Sequence, residues 1–178
     1  LSLLVVVGIM AVDDQQIPED DHPLHEAAYE GEKDQMIELI QSGVDIDIRG
    51  VGNMTPLHHA AMEGHLECVK ELISRGATLD AVDMEGQSAL HMAGCFGFPE
   101  VCEFLVERGL SPETTDKKGH TPLHEAAEGN HPTTAHKLFL LGAPLDAKNA
   151  KGQTAAQVAK EEGNDDLHDE INSWAVSK

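Results

Sequence analysis

The chain has 178 residues, a formal net charge of −20 and an aromatic content of 3%. The acidic balance argues against nucleic acid and anionic membranes as direct partners, because both attract a basic face. It favours a protein partner with a basic or mixed-charge surface. The low aromatic content indicates a core of small and branched aliphatic side chains instead of large rings.

The chain begins with an almost wholly apolar segment, residues 1–12. This segment is too short to span a bilayer. A secretory signal peptide would carry a basic start and a small-residue cleavage site, which are not visible, although a clipped signal could look like this. We favour the interpretation that Met10 is the true start. Residues 13–21 follow as an acidic lead-in.

A seven-residue pattern then recurs along the chain. Its clearest form is Thr55–Ala61, with the sequence TPLHHAA, and related copies begin at His22, Ser88, Thr121 and Thr154. The second positions of the five copies are 23, 56, 89, 122 and 155, so the copies are 33 residues apart with no insertion. A fixed period of this size indicates a stacked-repeat protein.

Each unit carries start and stop signals for two helices. The pattern predicts that a Thr or Ser hydroxyl caps the first helix, at Thr55, Ser88, Thr121 and Thr154. Proline follows at the first helical position in three units, Pro23, Pro56 and Pro122. A residue that tolerates left-handed backbone ends this helix, at Gly31, Gly64, Gly97, Asn130 and Gly163. A second amphipathic helix follows, and then a loop that turns near Asn53, Gly86, Gly119 and Gly152.

A 33-residue unit with the motif Thr-Pro-Leu-His-x-Ala resembles the ankyrin repeat. The resemblance implies an all-α repeat solenoid, a stack of helix-turn-helix units with β-hairpin finger loops. It places five repeats at about 20–50, 51–83, 84–116, 117–149 and 150–178, within a single domain that covers residues 22–178. It also implies that the motif histidines tie the finger loops of adjacent units together by hydrogen bonds; these are His25, His58, His91 and His124.

The first and last units depart from the pattern, as terminal repeats do. The last unit places Leu167, Ile171 and Trp174 on one face of its second helix, with acidic residues between them. This spacing predicts an amphipathic helix that closes the array, with Trp174 covering the exposed end. A closing helix argues against a long continuation of the repeats.

Metal binding and catalysis are the weak hypotheses. The cysteines are Cys68, Cys95 and Cys102, without a CxxC pair, and Cys68 and Cys102 occupy positions of small core residues. His65 and Cys68 are spaced i, i+3 but no further ligands accompany them. The sequence has no nucleophile elbow, phosphate-binding loop or HExxH motif. We therefore expect no metal, no cofactor and no enzymatic activity, and a reducing compartment, the cytoplasm or also the nucleus.

The positions that do not repeat predict the partner-binding surface. In proteins of this kind, the resemblance implies, finger tips and the exposed face of the first helices bind the partner. The candidates are Tyr29, Val51, Met54, Met62, Glu63, Met84, Glu85, Cys95, Phe96 and Glu128. Their apolar members fall in the first three units, a feature that the fold does not require. For Met54 and Met62 a second interpretation stays open, in which they fill the groove between fingers and helices.

These patterns favour a monomeric, non-enzymatic protein-interaction module that acts as an adaptor, inhibitor or scaffold. The alternative is a regulatory segment of a larger enzyme, channel or pathogen effector with the same repeats. A metal-dependent hydrolase is the remote alternative, and metal analysis of the purified protein would test it.

Overall fold

The structure, a computed structural model, describes residues 21–176. The apolar segment 1–12 and residues 13–20 of the acidic lead-in lie outside the described residues, so the interpretations placed on them stay predictions. Within residues 21–176, no helix combines the length and the apolar character needed to cross a membrane.

Ten α-helices follow one another in this range as five pairs. The first helices of the pairs are α1 (Pro23–Glu30), α3 (Pro56–Met62), α5 (Ala89–Phe96), α7 (Pro122–Glu128) and α9 (Ala155–Glu161). The second helices are α2 (Lys33–Gln41), α4 (Leu66–Ser74), α6 (Pro99–Glu107), α8 (Pro132–Leu140) and α10 (Asp165–Val176). A short 3-10 helix spans Val51–Asn53.

The pairs stack in order, so that each first helix packs on the first helix of the next unit, while α2, α4, α6, α8 and α10 form a second row. The chain is therefore an all-helical repeat solenoid, as the 33-residue period predicts. The predicted helix ends are also confirmed: Asn130 has a φ of 57° at the position where the other units carry glycine.

The core is a narrow seam between the layers. The motif leucines Leu24, Leu57, Leu90 and Leu123 are at most 1% exposed, and alanines of the same helices surround them. Cys68 and Cys102 are buried in this seam, as their positions predict. Small side chains let the layers approach closely, which accounts for a core with few aromatic rings.

The last helix packs its apolar stripe on the preceding unit. Leu167, Ile171 and Trp174 are all buried. The Trp174 ring stacks on Phe139 of α8, with ring centroids 5.3 Å apart and an interplanar angle of 17°. This packing agrees with the amphipathic helix predicted for the last unit.

The loops between the units are hydrogen-bonded turns, whereas the resemblance implies β-hairpins. In the described part of the chain one isolated bridge, between Val82 and Ser88, is the only β-pairing. A side chain closes the turn: Asp83 Oδ1 accepts hydrogen bonds from the backbone N–H groups of Glu85 and Gln87, both at 2.8 Å. These N–H groups bond to the carboxylate of their own turn, while the Asp83 N–H donates to the Gln87 carbonyl across the turn at 2.9 Å. Asp116 and Asn149 act in the same way 33 and 66 residues later.

Consecutive turns are joined by backbone hydrogen bonds. The Met84 N–H donates to the Gly52 carbonyl (2.8 Å), the Lys117 N–H to the Glu85 carbonyl (2.9 Å), and the Ala150 N–H to the Lys118 carbonyl (2.8 Å). The turns therefore form a continuous ridge along the stack, which we call the finger ridge.

The motif histidines connect each first helix to the finger ridge. In the second unit, His58 Nδ1 accepts from the Thr55 N–H (3.1 Å) and lies 2.8 Å from the Thr55 hydroxyl, while Nε2 donates to the Gln87 carbonyl (3.0 Å). His91 and His124 make the same contacts, with the carbonyls of His120 and Gln153. His25 donates to the Ile48 carbonyl instead. The predicted role of these rings as ties is thus confirmed.

Candidate functional site

The predicted partner-binding residues fall in two places. Tyr29, Met62, Cys95, Phe96 and Glu128 lie in the last turn of a first helix, and Glu63 follows directly after α3. Val51, Met54, Met84 and Glu85 belong to the turns of the finger ridge.

The apolar candidates differ in exposure. Tyr29 is 41% exposed, Met84 45%, and Val51 and Phe96 46% each. Met54 and Met62 are partly buried and pack against the core, and Cys95 is half-buried. The two methionines therefore contribute partly to the core, and the more exposed apolar surface consists of the other side chains.

Sequence reasoning missed one member of this surface, Val82, which is 45% exposed. It lies beside Asp83 in the second turn of the finger ridge, and its carbonyl accepts from Arg49 Nη1 at 2.8 Å. The repeat register held a signal for it, because the equivalent positions are Arg49, Thr115 and Lys148. A valine among polar equivalents marks a position that the fold leaves free.

The exposed apolar side chains are unevenly distributed. Among the described residues, the large apolar side chains with substantial exposure are Tyr29, Val51, Val82, Met84, Phe96 and Leu140. All except Leu140, which lies on α8, belong to the first three units. The acidic candidates accompany them, and Glu85 and Glu128 are exposed while Glu63 is half-buried.

A buried acid–histidine cluster lies where the third and fourth units meet. Asp116, His120 and Glu125 bring one potential ligand atom each to within 4.8 Å of one another. His120 Nδ1 lies 3.0 Å from Glu125 Oε1, and His120 Nε2 accepts from Asn149 Nδ2 at 3.1 Å. The hydrogen bond to Glu125 raises the pKa of His120. Because both ring nitrogens of His120 are engaged, a metal ion would have to displace a hydrogen bond to bind there, while Asp116 Oδ2 is buried without a hydrogen-bond partner among the described residues.

Burial dominates the electrostatics of three motif histidines, His58, His91 and His124. It lowers the pKa of His58 from 6.5 to about 4 and also lowers the pKa values of His91 and His124. Their hydrogen bonds to backbone carbonyls oppose this effect without cancelling it. The rings are therefore neutral at pH 7, as their contacts with one donor and one acceptor require.

None of the three cysteines is an activated nucleophile. All three are free thiols, and burial raises the pKa of Cys95 to about 11 and that of Cys102 to about 12. A thiol with so high a pKa is a poor nucleophile at neutral pH.

Comparison with known proteins supports the repeat assignment. The profile of the family described as ankyrin repeats (3 copies) matches residues 24–116, and the profile described as ankyrin repeats (many copies) matches residues 105–159. A search of curated proteins returned no match.

Proposed function

Because the chain belongs to the ankyrin repeat family, we propose that it binds a protein partner through the finger ridge and first helices of its first three units. Ankyrin repeats are generally protein–protein interaction modules without catalytic activity. In this proposal the chain acts as an adaptor, inhibitor or scaffold.

The observation that carries the proposal is the distribution of exposed apolar side chains. The packing of the stacked layers does not require exposed apolar side chains, yet Tyr29, Val51, Met84 and Phe96 are 41–46% exposed on an acidic protein. Exposed apolar residues inside a charged rim are typical of interaction surfaces, and aromatic residues such as Phe96 often supply much of the binding energy.

Charge supports the choice of partner. The net charge is −20, and Glu85 and Glu128 are exposed beside the apolar residues. Such a surface attracts a partner with a basic or mixed-charge face and speeds the encounter at low ionic strength. The same charge disfavours self-association, so the protein acts as a monomer.

We place the protein in a reducing compartment, the cytoplasm or also the nucleus. The support is chemical: Cys68, Cys95 and Cys102 are unpaired thiols, and disulfide-free cysteines suit such a compartment.

Affinity capture from the native cell, followed by measurement of Kd for the captured partner, tests the proposal. The variant Met84→Ala/Phe96→Ala removes two exposed side chains of the surface. The control is Leu140→Ala, which removes a 65% exposed leucine from α8. We expect the double variant to weaken binding by about tenfold or more, since hot-spot residues contribute about 2 kcal/mol or more.

The control should bind as the wild type does, and both variants should keep the wild-type helical circular dichroism. Equal affinities for the double variant and the wild type would contradict the proposed surface.

A further inference from the structure

A cavity of about 360 Å³ lies at the start of the stack, between α1 and α3. Asp21, His25, Glu26, Tyr29 and His59 line it. Tyr29 is 41% exposed, so the cavity can be reached from solvent beside the proposed binding surface.

His59 is the unusual member of this lining. The residue is 7% exposed, and neither ring nitrogen has a hydrogen-bond partner among the described residues. The nearest acid is Asp21, whose Oδ2 lies 3.8 Å from His59 Nε2, beyond hydrogen-bond distance. Buried polar groups without partners are rare in folded proteins because each costs about 1–3 kcal/mol. Two such atoms on one ring that lines a cavity indicate a missing ligand.

Asp21 is held at the cavity by the first turn of the finger ridge. Its Oδ1 accepts from the Val51 N–H at 2.9 Å. The turn has Gly50 where the later turns have Asp83, Asp116 and Asn149, and a Cβ at Gly50 would overlap the Asp21 carboxylate. The missing side chain lets Asp21 reach the turn, which leaves Oδ2 facing His59.

The lining does not assemble a metal site. His25 accepts from the His22 N–H through Nδ1 and lies 2.9 Å from the Ile48 carbonyl through Nε2, so both its nitrogens are engaged. In the described part of the chain only the cluster of Asp116, His120 and Glu125 brings three potential metal ligands within 4.8 Å of one another. The groups free to bind are therefore dispersed around the cavity.

The free groups favour an organic cation that donates several hydrogen bonds. Asp21 Oδ2 and the Glu26 carboxylate are anionic acceptors, and one nitrogen of neutral His59 is a further acceptor. Among residues 21–176, no lysine or arginine lines the cavity. The Tyr29 ring, 6.2 Å from the His59 ring, adds an aromatic surface. A guanidinium group is planar, carries five N–H donors and stacks on aromatic rings, whereas an ammonium group is a compact point charge.

We propose that this cavity receives an arginine side chain of the protein partner. The inference rests on the proposed function and adds the chemistry of one anchor residue. The guanidinium donates to Asp21, Glu26 and His59, and Tyr29 packs against it at the cavity mouth.

The test uses the full chain and the probe N-acetyl-arginine N-methylamide. Tyr29 is the only tyrosine, so protein labelled with 3-fluorotyrosine gives a single 19F resonance from the cavity wall. We expect this resonance to shift with saturation on addition of the probe. The lysine analogue at the same ionic strength should bind at least about fivefold more weakly, because it lacks the planar set of donors.

His59→Phe and Glu26→Gln should each weaken binding of the arginine probe by about tenfold, since each removes a hydrogen bond to a charged group. Glu30→Gln is the matched control: it makes the same charge change on α1, at a residue that does not line the cavity. It should change binding by less than about twofold.

An unchanged 19F resonance, equal binding of the lysine analogue, or equal binding to His59→Phe would overturn the inference. The proposed function is tested separately with the captured partner. A partner that binds His59→Phe as tightly as the wild type would refute the arginine anchor and leave the proposed function intact. If the arginine probe binds but the partner binds Met84→Ala/Phe96→Ala as tightly as the wild type, the proposed surface is refuted and the cavity site remains.

Discussion

Acidification should destabilise the stack through the buried motif histidines His58, His91 and His124, and His58 allows the effect to be worked out. Its side chain is fully buried, and burial lowers its pKa from 6.5 to about 4. The unfolded chain therefore takes up a proton before the folded chain does. The stability that this neutral ring contributes is fully present above about pH 6.5 and is lost as the pH falls towards 4.

The linkage relation gives a loss of about 2 kcal/mol between pH 7.5 and pH 5 from His58 alone, and about 3 kcal/mol at the limit. His91 and His124 act in the same direction because burial lowers their pKa values too. Burial also lowers the pKa of His59. His120 acts in the opposite direction. Its hydrogen bond to Glu125 raises its pKa, so protonation of His120 stabilises the folded state. A net loss on acidification is expected because four lowered histidines oppose one raised histidine.

Urea unfolding at pH 7.5, 6 and 5, followed by circular dichroism and by the fluorescence of the single Trp174, measures this loss. The chain itself supplies the matched variant. In the fifth unit Gln157 replaces the motif histidine and still accepts from the Thr154 N–H at 2.9 Å. His58→Gln should therefore keep the cap, lower the free energy of unfolding at pH 7.5 by about 1 kcal/mol, and reduce the loss on acidification by about 2 kcal/mol.

A free energy of unfolding that stays constant or rises between pH 7.5 and pH 5 would refute this reasoning. So would a His58→Gln variant with the pH dependence of the wild type.

Three further outcomes follow from the packing. Leu90→Ala empties a fully buried position in α5, so it should cost about 2–5 kcal/mol of unfolding free energy in urea titration at pH 7.5. Gly50→Ala should cost about 1–3 kcal/mol in the same assay, because the added Cβ displaces Asp21; a neutral change would contradict the close approach described. Native thiols should react slowly with a disulfide reagent at pH 8, with Cys102 slower than Cys95, whereas urea-unfolded protein should react at the rate of free cysteine.

The sequence predicts most of the fold because the same local pattern of capping, turn and core residues recurs in each unit. Thr55 and Pro56 mark the start of α3, and the spacing of 33 residues transfers this assignment to the other units. Buried leucines and histidine ties follow, since each unit must meet its neighbour in the same geometry. The β-hairpin fingers are not shown in the described residues, where one isolated antiparallel bridge joins Val82 and Ser88 and the side chains of Asp83 and its equivalents close the turns.

The candidate site was less predictable, because it depends on how single positions depart from the repeat. Position 82 stands out only when Val82 is compared with Arg49, Thr115 and Lys148. The cavity depends on two positions that differ from the repeat pattern, Gly50 in a turn and His59 next to the motif histidine His58. Both lie close to Asp21 only in the folded protein, so the 33-residue periodicity of the sequence does not predict this contact.

The histidine ties also determine how such a chain can change in length. His58, His91 and His124 each reach a carbonyl 29 residues further along, in the turn of the next unit. Excision of residues 84–116 as one block would bring the His120 carbonyl to the place that the Gln87 carbonyl now occupies, so the shortened protein could still close every remaining tie. Excision of a few residues from a helix would instead leave a ring and a carbonyl without partners. Recombination and protein engineering can therefore edit this stack in whole units, and the exposed surface can be lengthened, shortened or exchanged without a redesign of the interior.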